Sequence, residues 1–295
     1  MKSDNTSING IIVINKEKGF TSHDVVAKMR RILGTRKIGH TGTLDPEATG
    51  VLPVCIGKAT KVCDMILNSD KEYIAELKFG ITTDTQDIFG NVLSEKRVSL
   101  GKDEIESAVM SFVGEIEQIP PMYSAVKVGG KKLYEYARKG VEIERAARKV
   151  TIKKIDILKI GSDTAQIKVL CTKGTYIRTL CGDIGEKLSC GACMTSLVRT
   201  KSAGFDIENA ITLAQLENDG YEKHLIKTDF VFNSLPSFVA DWETKKRLMN
   251  GAKTTVSKNV GRYRVYDENG IFICVGNVAK HNGRNVITSE KLFCE

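Results

Sequence analysis

The sequence predicts an α+β fold in which a large mixed domain is followed by a small β-barrel. Stretches that alternate between apolar and polar residues, as strands do, occur between stretches with the periodicity of amphipathic helices. The predicted strands are long and follow one another in a way that favours antiparallel pairing. The end of the chain holds short strands separated by glycines, which is typical of a small barrel. We therefore divide the chain into domains at 1–235 and 236–295.

The first predicted elements are a strand and a helix. The apolar run 10–14 is typical of a buried strand, and a turn follows at 16–20. Thr21 can cap the next helix together with Asp24, three residues further on. This helix is expected to end before Gly34. Its apolar face consists of Val25, Val26, Met29, Ile32 and Leu33.

Basic residues crowd the end of this helix: Arg30, Arg31, Arg36 and Lys37. Cations at a helix C-terminus interact favourably with the helix dipole. Cations in a cluster also attract a phosphate backbone. Both interpretations stay open from the sequence.

The rest of the first domain alternates between strands and short helices. We expect strands at 73–79, 150–160 and 165–170, and helices at 103–113, 133–139 and 178–187. Residues 82–91 are polar and have the composition of a turn.

The second domain begins near Pro236. A short helix is expected at 243–250, ending at Gly251. Strands at 263–266 and 271–275 flank a turn, and their spacing predicts a hairpin.

Composition favours a polyanionic partner, because the net charge is +8 and the pI is near 9.0. No apolar run approaches the length of a membrane span, and residues 1–10 lack the features of a signal peptide. We expect a cytoplasmic protein. It is expected to be a monomer, because no heptad pattern or exposed apolar stripe is obvious.

The eight cysteines show no disulfide framework and are interpreted as reduced thiols. Cys190 and Cys193 form the only Cys-x-x-Cys pair, and a structural zinc site normally needs a second pair of ligands at compatible spacing. None is evident. We expect small buried residues near a turn here, and no metal.

Asp45 lies in a loop with the composition of a catalytic loop. Pro46 favours an extended backbone at Asp45, while Gly39, Gly42 and Gly50 allow positive φ or the close approach of a ligand. The same glycine and proline residues are equally typical of a solvent-facing turn. Composition alone leaves both interpretations open.

The full string of residues 39–54 closely resembles the active-site motif of the TruB family of pseudouridine synthases. Further matches occur in family order at 15–22, 71–73, 118–138 and 174–180. Five ordered motifs are far more specific than any one alone. The resemblance implies a pseudouridine synthase core, with a mixed and largely antiparallel central sheet, followed by a PUA-like RNA-binding domain.

The resemblance also implies catalytic roles. Asp45 is the family's catalytic carboxylate, and Arg178 is the matching arginine, from which we hypothesise an ion pair that keeps Asp45 charged. Tyr73 is the platform for an extruded base; a tyrosine in a strand is otherwise more often a core residue. No redox cofactor or metal is implied.

Three further residues are implied to serve the substrate site. His40 resembles the histidine that enters the space vacated by the flipped base. Lys16 matches a lysine that supports the catalytic region, although Glu17 replaces the proline usual after it. Leu197 resembles an apolar residue near the base pocket. At Ala146 the family commonly has proline, and we expect no catalytic consequence.

The implied function is a stand-alone synthase that converts uridine 55 in the T loop of tRNA, binds the T arm and needs no protein partner. One alternative is the dyskerin-like catalytic subunit of a guide-RNA complex. The uninterrupted motif at 41–53 and the short N-terminus look more like the stand-alone branch. Another alternative is a non-catalytic protein that binds or folds tRNA.

Overall fold

The computed structural model describes residues 8–293. The expectation about a signal peptide therefore falls largely on residues outside this range, as does Cys294. Helices within it are α1 Ser22–Leu33, α2 Cys63–Ile66, α3 Lys102–Met110, α4 Leu133–Ala137, α5 Ile177–Lys187, α6 Leu213–Asp219 and α7 Trp242–Met249.

The strands up to residue 206 are β1 Gly10–Lys16, β2 Ile38–His40, β3 Thr49–Ile56, β4 Lys71–Phe79, β5 Ile81–Thr83, β6 Val92–Glu95, β7 Gly114–Gln118, β8 Lys127–Val128, β9 Lys131–Lys132, β10 Arg148–Ile160, β11 Thr164–Cys171, β12 Ala192–Ser202 and β13 Phe205–Asp206. Those that follow are β14 Ser237–Val239, β15 Thr254–Thr255, β16 Gly261–Tyr266, β17 Phe272–His281 and β18 Arg284–Leu292.

The central sheet has nine strands, seven of them in the order β1-β3-β12-β4-β11-β10-β7, while β2 pairs with β3 and β13 pairs with β12. The pairing of β12 with β3 is parallel, and the other pairings in this sheet are antiparallel. The prediction of an α+β fold with a mixed, largely antiparallel sheet is confirmed.

Helix α1 forms as predicted. The Asp24 amide donates to the Thr21 side chain over 3.0 Å, and the Thr21 amide donates to the Asp24 carboxylate over 2.9 Å, which completes a capping box. Gly34 ends the helix with φ near 62°. The buried side chains of α1 pack with those of α6 over one face of β1 and β3.

Two central strands had not been predicted from periodicity. Nearly every residue of β3 is buried, and β12 also contains consecutive buried residues. A strand that is covered on both faces does not alternate, and in β12 register shifts after Met194 and Arg199 interrupt the alternation, so the period-2 signal is lost. The predicted strands are present with longer bounds, and the helices predicted at 103–113 and 133–139 end earlier, at 110 and 137.

The C-terminal residues form a second sheet in the order β14-β16-β17-β18-β15. It has its own apolar core, which includes Leu248, Val265 and Ile287. It also contacts the first part of the chain, because the ring of Phe232 lies against Phe293 and Phe272. The division at residue 235 stays a prediction.

The seven cysteines between residues 8 and 293 are free thiols. Cys190 and Cys193 are buried beside the turn at Gly191, as expected, and burial raises the pKa of both thiols. No cluster of three or more metal-ligating side chains occurs in this part of the chain. None of its helices is long and apolar enough to cross a membrane.

Candidate active site

A cavity of about 610 Å³ opens where β4, β12, the start of α5 and the loop 41–48 meet. Four of the predicted site residues line it: Asp45, Tyr73, Arg178 and Leu197. The cavity has the size of a small-molecule site, with one carboxylate at its wall.

The Asp45 loop is attached to the start of α1. The buried Ser22 hydroxyl accepts from the Leu44 amide over 2.9 Å and lies 3.2 Å from the Leu44 carbonyl. On the other side of Asp45, the Gly19 amide donates to the Pro46 carbonyl over 2.9 Å. Asp45 therefore lies between two residues whose backbones are hydrogen-bonded to the N-terminal segment.

Lys16 supports the same loop from the end of β1. Its ammonium group is completely buried and donates to three carbonyls, those of Glu17, Phe20 and Pro46. Burial lowers the pKa of Lys16 to about 8, against the opposing effect of the Asp45 charge. The turn forms although Glu17 replaces the family's proline.

Arg178 and Asp45 form the hypothesised ion pair. Arg178 Nε lies 3.0 Å from Asp45 Oδ2. The arginine side chain is 7% exposed and the aspartate side chain 42% exposed. The carboxylate is therefore held by a buried cation while it remains open to the cavity.

Arg178 is itself held by three further oxygens. Its guanidinium donates to the carbonyls of Thr85 and Tyr123 over 2.9 and 3.0 Å, and Nη1 lies 3.4 Å from Asp87 Oδ2. Sequence reasoning missed Asp87, because a carboxylate in a polar segment is ordinary turn chemistry. Only the tertiary fold brings it to Arg178.

Tyr73 and Leu197 lie on adjacent strands, β4 and β12, and both are about nine-tenths buried. Burial raises the pKa of the Tyr73 hydroxyl, and the nearby positive charge of Arg199 opposes this effect. Together the two side chains supply an aromatic ring and an aliphatic wall to the cavity.

Arg199 is the second residue that sequence reasoning missed. It is 1% exposed, lines the same cavity and is hydrogen-bonded to backbone carbonyls at both ends of the Asp45 loop. One arginine inside a strand carries no local signal, because its importance depends on what the neighbouring strands place beside it.

His40 lies at the end of β2, and the ring of His23 packs edge-on against it at 5.6 Å. The Gly42 amide approaches its Nδ1 at 3.4 Å. Burial, followed by the charges of His23 and Arg199, lowers the pKa of His40, which favours a neutral ring. Neither His40 nor Lys16 is among the described residues that line the cavity.

Lys18 joins the two segments that carry the acidic partners of Arg178. Its ammonium group lies 3.3 Å from the Glu47 carboxylate and 4.7 Å from the centre of the exposed Phe89 ring. A cation and an aromatic ring are thus adjacent on the segments that hold Asp45 and Asp87.

Two family descriptions match the chain. Residues 30–177 match the family described as "TruB family pseudouridylate synthase (N terminal domain)". Residues 178–243 match "tRNA pseudouridylate synthase B C-terminal domain". The first match covers the loop, the cavity wall at Tyr73 and the segment around Asp87.

Similar proteins extend over most of the chain. The "tRNA pseudouridine synthase B" of Clostridium perfringens strain SM101 is 48% identical over 278 residues, which are 91% of this chain and 95% of that protein. The protein of the same name from Clostridioides difficile is 45% identical, covering 97% of this chain and all of that protein. A chain in the solved structure "Crystal Structure of a Cbf5-Nop10-Gar1 Complex" has a TM-score of 0.71 and 28% identity, covering 97% of this chain and 85% of that chain.

Proposed function

Since the chain belongs to the TruB family of pseudouridine synthases, which are isomerases, we propose that it acts alone on tRNA and converts uridine 55 of the T loop to pseudouridine. The observation that carries this proposal is the carboxylate of Asp45, paired with a buried arginine at the wall of a cavity large enough for a nucleotide. The proposal names a single substrate uridine and no protein partner.

The reaction rearranges one nucleotide without net loss of atoms. The bond between ribose C1′ and uracil N1 breaks, the base turns, and a bond forms between C1′ and C5. The hydrogen leaves C5 as a proton, and N1 gains a proton. The chain's own residues must therefore stabilise charge at the sugar, hold the detached base and assist proton transfer.

Asp45 is the residue we assign to the sugar. As an anion it stabilises positive charge at C1′ or acts as a nucleophile. Its partner Arg178 holds the carboxylate in place, and Asp87 in turn contacts Arg178. A positioned carboxylate needs little reorganisation when charge develops, which is why this support matters for rate.

Tyr73 and Leu197 are the residues we assign to the base. A uridine in a structured loop must leave its stack before Asp45 can reach C1′. Stacking of a base on an aromatic ring is worth about 1–3 kcal/mol, which offsets part of this cost. The Tyr73 hydroxyl would assist removal of the C5 proton.

His40 is assigned to the space that the flipped base leaves. Its lowered pKa favours a neutral, planar ring, and such a ring can stack between bases without adding charge. We therefore propose that the ring of His40 fills the space left by the flipped base and does not transfer a proton.

We assign binding of the T arm of tRNA to the first domain, 1–235, with the second domain, 236–295, adding phosphate contacts as a PUA-like module. A net charge of +8 suits this partner, and binding should weaken steeply with salt as counterions are released. A monomer in the cytoplasm is the form we propose.

Tritium release tests the activity. A tRNA transcript labelled at uracil C5 is incubated with the full chain, without cofactor or partner. We expect release with the wild type and only background with Asp45→Asn. Asp64→Asn makes the same chemical change at an exposed position of α2 and should retain full release. Equal rates for wild type and Asp45→Asn would refute the assigned role of Asp45.

The same assay separates the proposed function from two alternatives, neither of which releases tritium from bare transcript. The similarity to a chain of the Cbf5-Nop10-Gar1 complex favours a guided subunit as the second candidate. Such a subunit would be inactive on bare transcript. A tRNA-folding protein would bind the transcript and release no tritium. Mapping pseudouridine by carbodiimide modification and primer extension then tests whether uridine 55 is the target.

A further inference from the structure

Arg199 occupies a central position in the sheet. Its strand, β12, lies between β3 and β4, and Arg199 is opposite Gly50 on one side and Tyr73 on the other. It is among the largest fully buried side chains of the described residues. A charge in such a place is costly unless its donors are satisfied.

Three backbone carbonyls accept from this guanidinium. Nε donates to Val51 over 2.7 Å, Nη2 to Gly42 over 3.2 Å, and Nη1 lies 3.4 Å from the oxygen of Thr43. Residues 42 and 43 precede Asp45 and residue 51 follows the loop. The arginine therefore connects the two ends of the segment that carries Asp45.

The backbones of β3 and β12 also approach closely at this point. A Cβ added to Gly50 would lie 2.2 Å from the Arg199 carbonyl oxygen, and Gly50 has φ near 102°. Only glycine fits both conditions without a shift of the strand. The backbone of Arg199 therefore lies directly against the end of the loop that carries Asp45.

We propose that Arg199 is a positioning residue that sets the location of the Asp45 carboxylate relative to Tyr73. The inference rests on the proposed function, because it concerns the reaction at that site. Arg199 acts through the loop. It lies opposite Tyr73 on the neighbouring strand, and its guanidinium is hydrogen-bonded to the backbone of the loop that contains Asp45.

The chemistry makes this distance important. One nucleotide must present C1′ to Asp45 and its base to Tyr73, so the separation of these side chains limits which orientations are productive. A misplacement of about 1 Å can cost about 100-fold in rate. Lysine cannot replace the guanidinium here, because a single ammonium group lacks the planar fork that reaches separated acceptors.

The test compares Arg199→Lys with wild type in single-turnover tritium release and in tRNA binding. We expect the rate to fall about 100-fold, with the dissociation constant for tRNA within about threefold of wild type. Lys201→Met is the matched control from the same strand: its exposed ammonium pairs with Asp206 at the surface, and its rate should stay unchanged.

Arg199→Gln provides the second variant. It keeps one donor group and should fall at least as far as Arg199→Lys while still binding tRNA. If both variants lose rate, tRNA binding and melting temperature in parallel, Arg199 is only a core residue and the inference is wrong. Normal rates in both variants would also overturn it. A wild type that releases no tritium would instead overturn the proposed function, and the inference with it.

Discussion

The ammonium group of Lys16 lies 2.9 Å from the carbonyl oxygen of Pro46, the residue that directly follows Asp45. The same group donates to Glu17 and Phe20, so the lysine joins the N-terminal turn to the loop that carries Asp45. Each of these carbonyls would lose a donor if the ammonium group were removed.

Lys16→Met should lower both stability and activity. A buried acceptor left without a partner costs about 1–3 kcal/mol, and a loss of that size lowers the melting temperature by several degrees. The rate of tritium release should also fall, because the loop backbone beside Asp45 loses an anchor. Lys102→Met, at a side chain that is 73% exposed, is the thermal control and should have the melting temperature of the wild type.

Asp87→Asn should reduce the rate without preventing tRNA binding. The substitution removes one of the two carboxylates that contact Arg178, and hydrogen bonds to charged groups contribute about 1.5–3 kcal/mol. We expect a loss of about 10- to 100-fold in single-turnover release, smaller than that of Asp45→Asn. Asp163→Asn, which affects a surface pair with Lys78, is the control. An unchanged rate in Asp87→Asn would show that Arg178 needs no second anion.

His40→Ala should be less damaging than Asp45→Asn. His40 lies outside the cavity lining and burial lowers its pKa, so we expect that a ring that fills space is sufficient. His40→Phe, which keeps a planar ring, should retain more activity than His40→Ala. The rate of single-turnover tritium release at neutral pH ranks the activities of these variants. Complete loss in both His40 variants would contradict a role in occupancy.

Asp183→Asn should stabilise the protein at neutral pH. Burial, followed by the charge of Glu186, raises the pKa of Asp183 from 3.8 to about 6. Between these values the folded state binds more protons than the unfolded state, so stability falls as pH rises. The asparagine variant has no carboxyl group to ionise, so it avoids this loss of stability. Its melting temperature should exceed that of the wild type by a few degrees at pH 7.5, and the difference should vanish near pH 4. If the difference in melting temperature were the same at pH 4 and at pH 7.5, the ionisation of Asp183 would not be its cause.

Local chemistry in the sequence was sufficient for several elements. The Thr21 and Asp24 capping box and the apolar stripe of α1 depend on residues three or four positions apart, and the structure has both. Alternation likewise predicted β4, because its two faces differ in burial. The matched family motifs also predicted that Asp45 and Arg178 would form an ion pair, although they are far apart in the chain.

Contacts between residues far apart in the chain could not be predicted from the sequence in the same way. Strand β3 is buried on nearly its whole length, and register shifts interrupt the alternation of β12, so Arg199 could not be placed beside Tyr73. Asp87 looked like part of a polar turn until the fold brought it to 3.4 Å from Arg178. In both cases the decisive contact joins residues that have no fixed relation along the chain.

The sequence by itself determined the class of fold, several of the local elements and the family whose motifs surround Asp45. The tertiary structure decided how that carboxylate is held, because its support comes from Lys16, Arg178 and Arg199 on three different elements. Hydrogen bonds and buried charges act over a few ångströms of space whatever the distance along the chain, so only the folded arrangement specifies them.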